Sequence, residues 1–90
     1  MTGDGGPVRR QGVVAQVADD EAVLLDIESG SYFALNSVGG RIWELCDGTR
    51  SVHDLVAAIC EEFDVTADTA RADTLEVLEQ LKRENLLVED

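Results

Sequence analysis

Residues 22–48 read Ala22-Val23-Leu24-Leu25-Asp26-Ile27-Glu28-Ser29-Gly30-Ser31-Tyr32-Phe33-Ala34-Leu35-Asn36-Ser37-Val38-Gly39-Gly40-Arg41-Ile42-Trp43-Glu44-Leu45-Cys46-Asp47-Gly48, and their hydrophobic period changes in the middle. As far as Leu35 the alternation is two. Val23, Leu25 and Ile27 fall on one face of a strand over 22–28, and Leu24, Asp26 and Glu28 on the other. Ser29-Gly30 predicts a two-residue hairpin turn, because glycine supplies the positive φ that such a turn requires. The strand over 31–35 then returns antiparallel, with Ile27 opposite Tyr32 and Leu25 opposite Ala34. Beyond Leu35 the period becomes 3.6. Asn36 or Ser37 supplies a side-chain cap, Val38, Ile42, Leu45 and Cys46 share a stripe, and Asp47-Gly48 stops the helix.

Outward from this junction, Val13 to Val17 predicts a first strand, closed by the acidic turn Asp19-Asp20. Ser51-Val52-His53-Asp54 has the form of a capping box opening a second helix over 51–63. Thr66 caps a third, through Ala70, Thr74, Leu75, Val77, Leu78 and Leu81 to Arg83. Asn85 to Val88 is either frayed helix or a short returning segment. The predicted fold class is α+β and winged helix-turn-helix-like: a three-stranded antiparallel sheet followed by three helices. Gly39-Gly40 lacks the spacing of a phosphate loop and signals close approach of helix and sheet. Residues 1–11 hold three of the eight glycines and the only proline, which predicts a flexible tail, or at most an arm that orders on contact, before a folded domain over 12–88.

The 90 residues carry 7 Lys and Arg against 19 Asp and Glu, a formal charge of −12. A surface of that sign repels phosphates, which argues against nucleic acid as a partner. A transcription regulator of winged-helix type is disfavoured further by the third helix, where Asp68, Asp73, Glu76, Glu79 and Glu84 outnumber Arg71, Lys82 and Arg83. An apolar share of 44% is too rich for disorder. No run approaches a membrane span, and the N-terminus has no apolar stretch of a secretory signal. Cys46 and Cys60 sit at apolar helical positions, the pattern of reduced thiols in a cytoplasmic protein. One histidine and two scattered cysteines make no metal site. His53 has no nucleophile at hand, Ser51 being spent as a cap, so no enzyme and no cofactor are expected.

A strand edge is normally blunted by charge, proline or a bulge, and Ser31 to Leu35 contains none of these. Such an edge can take an extended peptide as a further strand. Backbone recognition is then expected at Tyr32, Phe33 and Ala34. Pocket walls are expected from Phe33, Leu35, Ala70, Thr74, Val77 and Leu78, with Ala70 and Thr74 leaving room for a large guest side chain. Arg71 and Asp73 form the expected polar rim. Trp43 is either core or a dock for a partner.

The run Phe33-Ala34-Leu35-Asn36, then Val38-Gly39-Gly40-Arg41-Ile42-Trp43-Glu44-Leu45 and Asp47-Gly48, resembles the signature of the PqqD family. Ser51-Val52-His53-Asp54-Leu55 matches that family's start of the next helix. Leu75, Leu78, Leu81 and Asn85-Leu86-Leu87 resemble its closing pattern, with Asn85 where glycine is common. The resemblance spans about 12–88. It implies a RiPP recognition element, a non-enzymatic domain that binds the leader of a ribosomally made precursor peptide along the third strand beside the third helix. The Gly-Gly-Arg-Ile-Trp and Tyr-Phe-Ala-Leu-Asn stretches look closer to the stand-alone recognition half of a split lasso-peptide B protein. That implies a separate cysteine leader peptidase and possibly a cyclase as partners. The alternative the resemblance leaves is a PqqD-type peptide chaperone serving a radical-SAM enzyme.

Overall fold

The computed structural model describes residues 6–18 and 20–88. In chain order the elements are β1 (Val8–Arg9), β2 (Val13–Val17), β3 (Glu21–Asp26), β4 (Tyr32–Asn36), α1 (Ser37–Leu45), α2 (Val52–Phe63), α3 (Ala67–Arg83) and β5 (Leu87–Val88). Strands β2, β3 and β4 form an antiparallel meander in that order, and β1 pairs with β5 in a separate ribbon. Helix α1 packs directly on β3 and β4, and α2 and α3 pack against α1 and against each other. Leu24 and Ala22 of β3, Leu35 of β4, Ile42 and Trp43 of α1, Leu55 and Ile59 of α2, and Ala70, Leu78 and Leu81 of α3 meet in one core. Trp43 therefore belongs to the core.

The hairpin between β3 and β4 is longer than two residues. The Asp26 N–H donates to the Ser31 carbonyl and the Gly30 N–H to the Asp26 carbonyl, both at 2.8 Å, which closes a loop over 27–30 with Gly30 at φ 77°. The Asp26 carboxylate also accepts from the Glu28 N–H. Leu25 thus faces Tyr32 and Val23 faces Ala34, a register two residues from that expected, and Ile27 is left exposed in the loop. A slip of two leaves every side chain on its expected face, because the strand period is two.

Helix starts follow the sequence closely. Asn36 accepts from the Gly39 N–H at 2.8 Å, Ser51 and Asp54 close a reciprocal capping box, and Thr66 accepts from the Thr69 N–H. The last turn of α3 ends in a Schellman arrangement: the Leu86 N–H reaches the Leu81 carbonyl at 2.8 Å, with Asn85 in the left-handed region at φ 61°. Asn85 takes the backbone conformation that glycine adopts without steric cost.

From Gly6 onward the N-terminal stretch is held, contrary to its expected flexibility; residues 1–5 lie outside the described residues. Val8 and Arg9 pair with Val88 and Leu87. The Arg9 N–H donates to the Cys46 carbonyl and the Arg10 N–H to the Leu86 carbonyl. The Arg9 guanidinium reaches the Glu44 carbonyl at 2.8 Å, and that of Arg10 bonds the Asn85 carbonyl and the Asp26 carboxylate. The backbone donors of this stretch are satisfied by segments far away in sequence. Those partners also make Leu87–Val88 a short returning strand after the turn at Asn85.

Both cysteines are free thiols. Burial pushes the Cys46 thiol up to about 11, which keeps it protonated and inert at neutral pH.

Candidate functional site: a bare strand edge beside helix α3

In an antiparallel ladder, residues alternate between those bonding the neighbouring strand and those whose N–H and C=O point away from it. The Asp26–Ser31 bond fixes the phase along β4. With the register of β3 on β4, Phe33 and Leu35 bond β3, and the backbone groups of Tyr32 and Ala34 and the N–H of Asn36 point outward. No strand among the described residues lies on that side of β4. Of the three residues expected to supply backbone recognition, Tyr32 and Ala34 present their backbone to the free edge. Phe33 turns its amide inward.

The edge opens onto a cleft of about 280 Å³ between β4 and α3, lined by Ala34, Leu35, Asn36 and Val38 on one side and by Asp73, Glu76, Val77 and Gln80 on the other. The α3 residues have spacings of three, four and seven from Asp73, which is one stripe of a helix. The capped start of α1 sets Val38 at the upper end, held there by the Asn36 cap. A smaller depression of about 70 Å³ lies at the hairpin end of the sheet, lined by Leu24, Asp26, Ser29, Ser31, Tyr32 and Phe33 with Glu84 and Leu86 just beyond α3.

Ala34, Leu35, Asp73 and Val77 of the expected site meet at the main cleft, and Tyr32 and Phe33 at the smaller depression. Ala70 and Thr74 do not line either: both are fully buried against the core. Together with Leu78 and Leu81 they form the inward stripe of α3, so the space expected beside these small side chains is filled by the protein itself. Leu78 borders a different depression, of about 550 Å³, with Pro7, Val52, Leu75, Leu87 and Val88. Arg71 faces a third, on the α2 side, with His53, Cys60 and Glu61. Asn36, Val38, Glu76 and Gln80 also line the cleft, although the sequence singles out Asn36 only as a cap and Val38 only as core. Glu76 and Gln80 were legible as the continuation of the Asp73 stripe.

The cleft has a charged wall and a neutral one. Asp73 and Glu76 are in none of the ion pairs among the described residues, which join Arg10 to Asp26 and Glu28, Arg41 to Glu44 and Glu62, and Arg50 to Asp47. The Arg41 guanidinium bonded to Glu62 holds that carboxyl below its ordinary value. Across the sheet, the face turned away from the helices carries Val14, Val23, Leu25 and the exposed ring of Tyr32. Among the described residues no group of three His, Cys, Asp or Glu side chains is arranged to hold a metal ion, and no helix is long and apolar enough to cross a membrane.

Comparison with known proteins agrees with this architecture. A protein of Xanthomonas oryzae pv. oryzae (strain PXO99A) named PqqA binding protein is 34% identical over 89 residues, covering 97% of this chain and 95% of its own. Among solved structures, TbiB1 in complex with the TbiA(beta) leader peptide is 36% identical and superposes with a TM-score of 0.76, covering 92% of this chain and 99% of that one. The PqqD truncation of Methylobacterium extorquens PqqCD, described as a stand-alone RiPP recognition element, shares the fold with a TM-score of 0.75 at 23% identity, over 99% of this chain and 94% of that one. Residues 21–87 match the family described as coenzyme PQQ synthesis protein D (PqqD). With the meander, the three helices and the matched span in agreement, the chain belongs to the PqqD family.

Proposed function

We propose that this chain is a non-catalytic adaptor that binds the leader segment of a ribosomally synthesised precursor peptide, of lasso-peptide type, and delivers it to a separate cysteine leader peptidase and cyclase. The leader adds as a strand to β4 beside α3. The observation that carries this reading is the phase of β4: the backbone groups of Tyr32 and Ala34 point into open space at the mouth of a cleft walled by α3. Main-chain bonds to those groups supply affinity, and alternate side chains of the guest enter the cleft and supply specificity. TbiB1, a relative solved with a leader peptide, is 36% identical over 92% of this chain, which supports the leader-binding reading. The adaptor needs no catalytic group of its own, and the single histidine, His53, is exposed on α2 well along the chain from β4.

A second reading, a PqqD-type chaperone of a peptide for a radical-SAM enzyme, draws on the 34% identity to the PqqA binding protein. The two differ in the peptide taken and agree on the strand edge.

Proline at position 34 tests the edge. The Ala34 N–H is not used by the sheet, so Ala34→Pro keeps the β3–β4 ladder and removes one outward donor, a substitution edge strands tolerate. Binding of a labelled TbiA(beta) leader peptide, the segment bound by the 36% identical TbiB1, is measured by fluorescence anisotropy. Wild type is expected to bind at micromolar affinity or tighter, and folded Ala34→Pro at least about tenfold more weakly, the scale of one lost hydrogen bond plus a steric block. Equal affinity in a folded variant overturns the site.

A further inference from the structure

Side chains directly across a ladder share one face of the sheet. A guest strand on β4 therefore places the residue beside Leu35 on the face that Leu35 occupies, toward the helices, and the next residue on the opposite face. That inward residue enters the cleft against the stripe Asp73, Glu76, Val77 and Gln80 of α3. Its surroundings combine two chemistries. Leu35, Val38 and Val77 give an apolar floor, and Asp73, partly sheltered, and Glu76 give two carboxylates one helical turn apart.

No cation among the described residues lines the cleft. Arg10, Arg41 and Arg50 are committed to the ion pairs described above, and Arg9 bonds main-chain carbonyls. Arg71 and Lys82 border depressions on other sides of α3, and Arg83, one turn beyond Gln80 at the end of α3, is in neither the cleft lining nor any of those ion pairs. Two like charges at this spacing on a helix oppose each other mildly, and a guest cation relieves that repulsion. A long aliphatic stem that crosses an apolar floor to a charged head is the shape of lysine or arginine.

We propose that Asp73 and Glu76 are specificity-determining residues that select a lysine or arginine at the leader position lying beside Leu35, and reject an acidic residue there. This rests on the leader-binding function proposed for the same cleft. The stem lies over Val38 and Val77, and the head bonds the two carboxylates. The carboxylates make no site alone; they act because the bare edge of Tyr32 and Ala34 fixes which guest side chain faces them.

The probes are synthetic variants of the leader, each carrying one lysine or one glutamate at successive positions, titrated against wild type and against the double variant D73K/E76K. In wild type, one position is expected to prefer lysine over glutamate by about tenfold or more. The preference inverts in D73K/E76K and narrows as salt rises, since partly exposed charges are screened. If the double variant fails to fold, D73N/E76Q serves instead, and loss of the preference at that position alone is the expected result. Wild type and variant ranking the whole peptide set identically overturns the charge selection and leaves leader binding standing. Binding of no peptide by wild type overturns leader binding itself, and the selection with it.

Discussion

Gly40 of α1 lies so close to Ala22 of β3 that a methyl group on the glycine would stand 2.9 Å from the Ala22 Cβ. Neighbouring Gly39 is nearly as tight, 3.1 Å from the Leu35 Cβ by the same measure. The Gly-Gly pair lets α1 settle directly onto the inner face of the sheet, at a cost of about 1 kcal/mol per glycine in helix propensity. That closeness sets Val38 at the upper end of the cleft.

Gly40→Ala is expected to destabilise the protein despite its better helix propensity. The propensity gain is about 1 kcal/mol, and forcing a methyl into a filled contact costs about 1–3 kcal/mol. The net loss of about 1 kcal/mol corresponds to a fall in melting temperature of about 4–8 °C for a domain of this size. Thermal unfolding followed by circular dichroism checks it, and a raised melting temperature would show that α1 lifts off the sheet freely.

Thr74 is fully buried and its hydroxyl has no hydrogen-bond partner. An unsatisfied buried hydroxyl costs about 1–3 kcal/mol, so Thr74→Val is expected to stabilise by about 1 kcal/mol, seen as a higher denaturation midpoint at unchanged slope. Leader affinity should stay the same, because the side chain faces the core. Thr74→Trp, harmless if the threonine faced a groove, is expected to unfold the domain.

Acid should loosen the turn after α1. The Asp47 carboxylate accepts from the Thr49 hydroxyl at 2.6 Å and the Thr49 N–H at 3.0 Å, with Arg50 beside it. These partners lower its carboxyl from 3.8 to about 2. A depressed folded-state value means that the stabilisation is whole above the unfolded value and is lost as pH falls through the folded one. Between about pH 4 and 2 the melting temperature of wild type is therefore expected to fall more steeply than that of Asp47→Asn. Parallel curves for the two proteins would remove Asp47 from the acid response.

The sequence made the faces of the sheet readable and left the pairing of individual residues open. Alternation places Leu24 and Leu35 inward whether the hairpin holds two residues or four, so the core survived a register two residues off. What fixes the longer loop is Asp26, whose backbone and carboxylate organise the turn, and nothing in an alternation pattern reports such bonds. Along α3 the apolar stripe was legible, but its direction was not: Ala70, Thr74 and Leu78 look equally suited to a groove and to a core until the packing of α1 and α2 is known. The cleft-facing stripe lies one residue away, about 100° around the helix, and carries the polar side chains that a search for apolar pockets passes over. The held N-terminus was invisible for another reason: its partners are Cys46, Leu86 and Leu87, dozens of residues away.

The pairing of Val8 with Val88 brings the two ends of the described chain side by side, about 5 Å apart as in any antiparallel pair. A domain whose ends meet in this way is of the kind that tolerates insertion and permutation. A host protein could carry it in a surface loop opened by little more than the width of a hairpin, and a short linker across that gap would allow the chain to be circularly permuted.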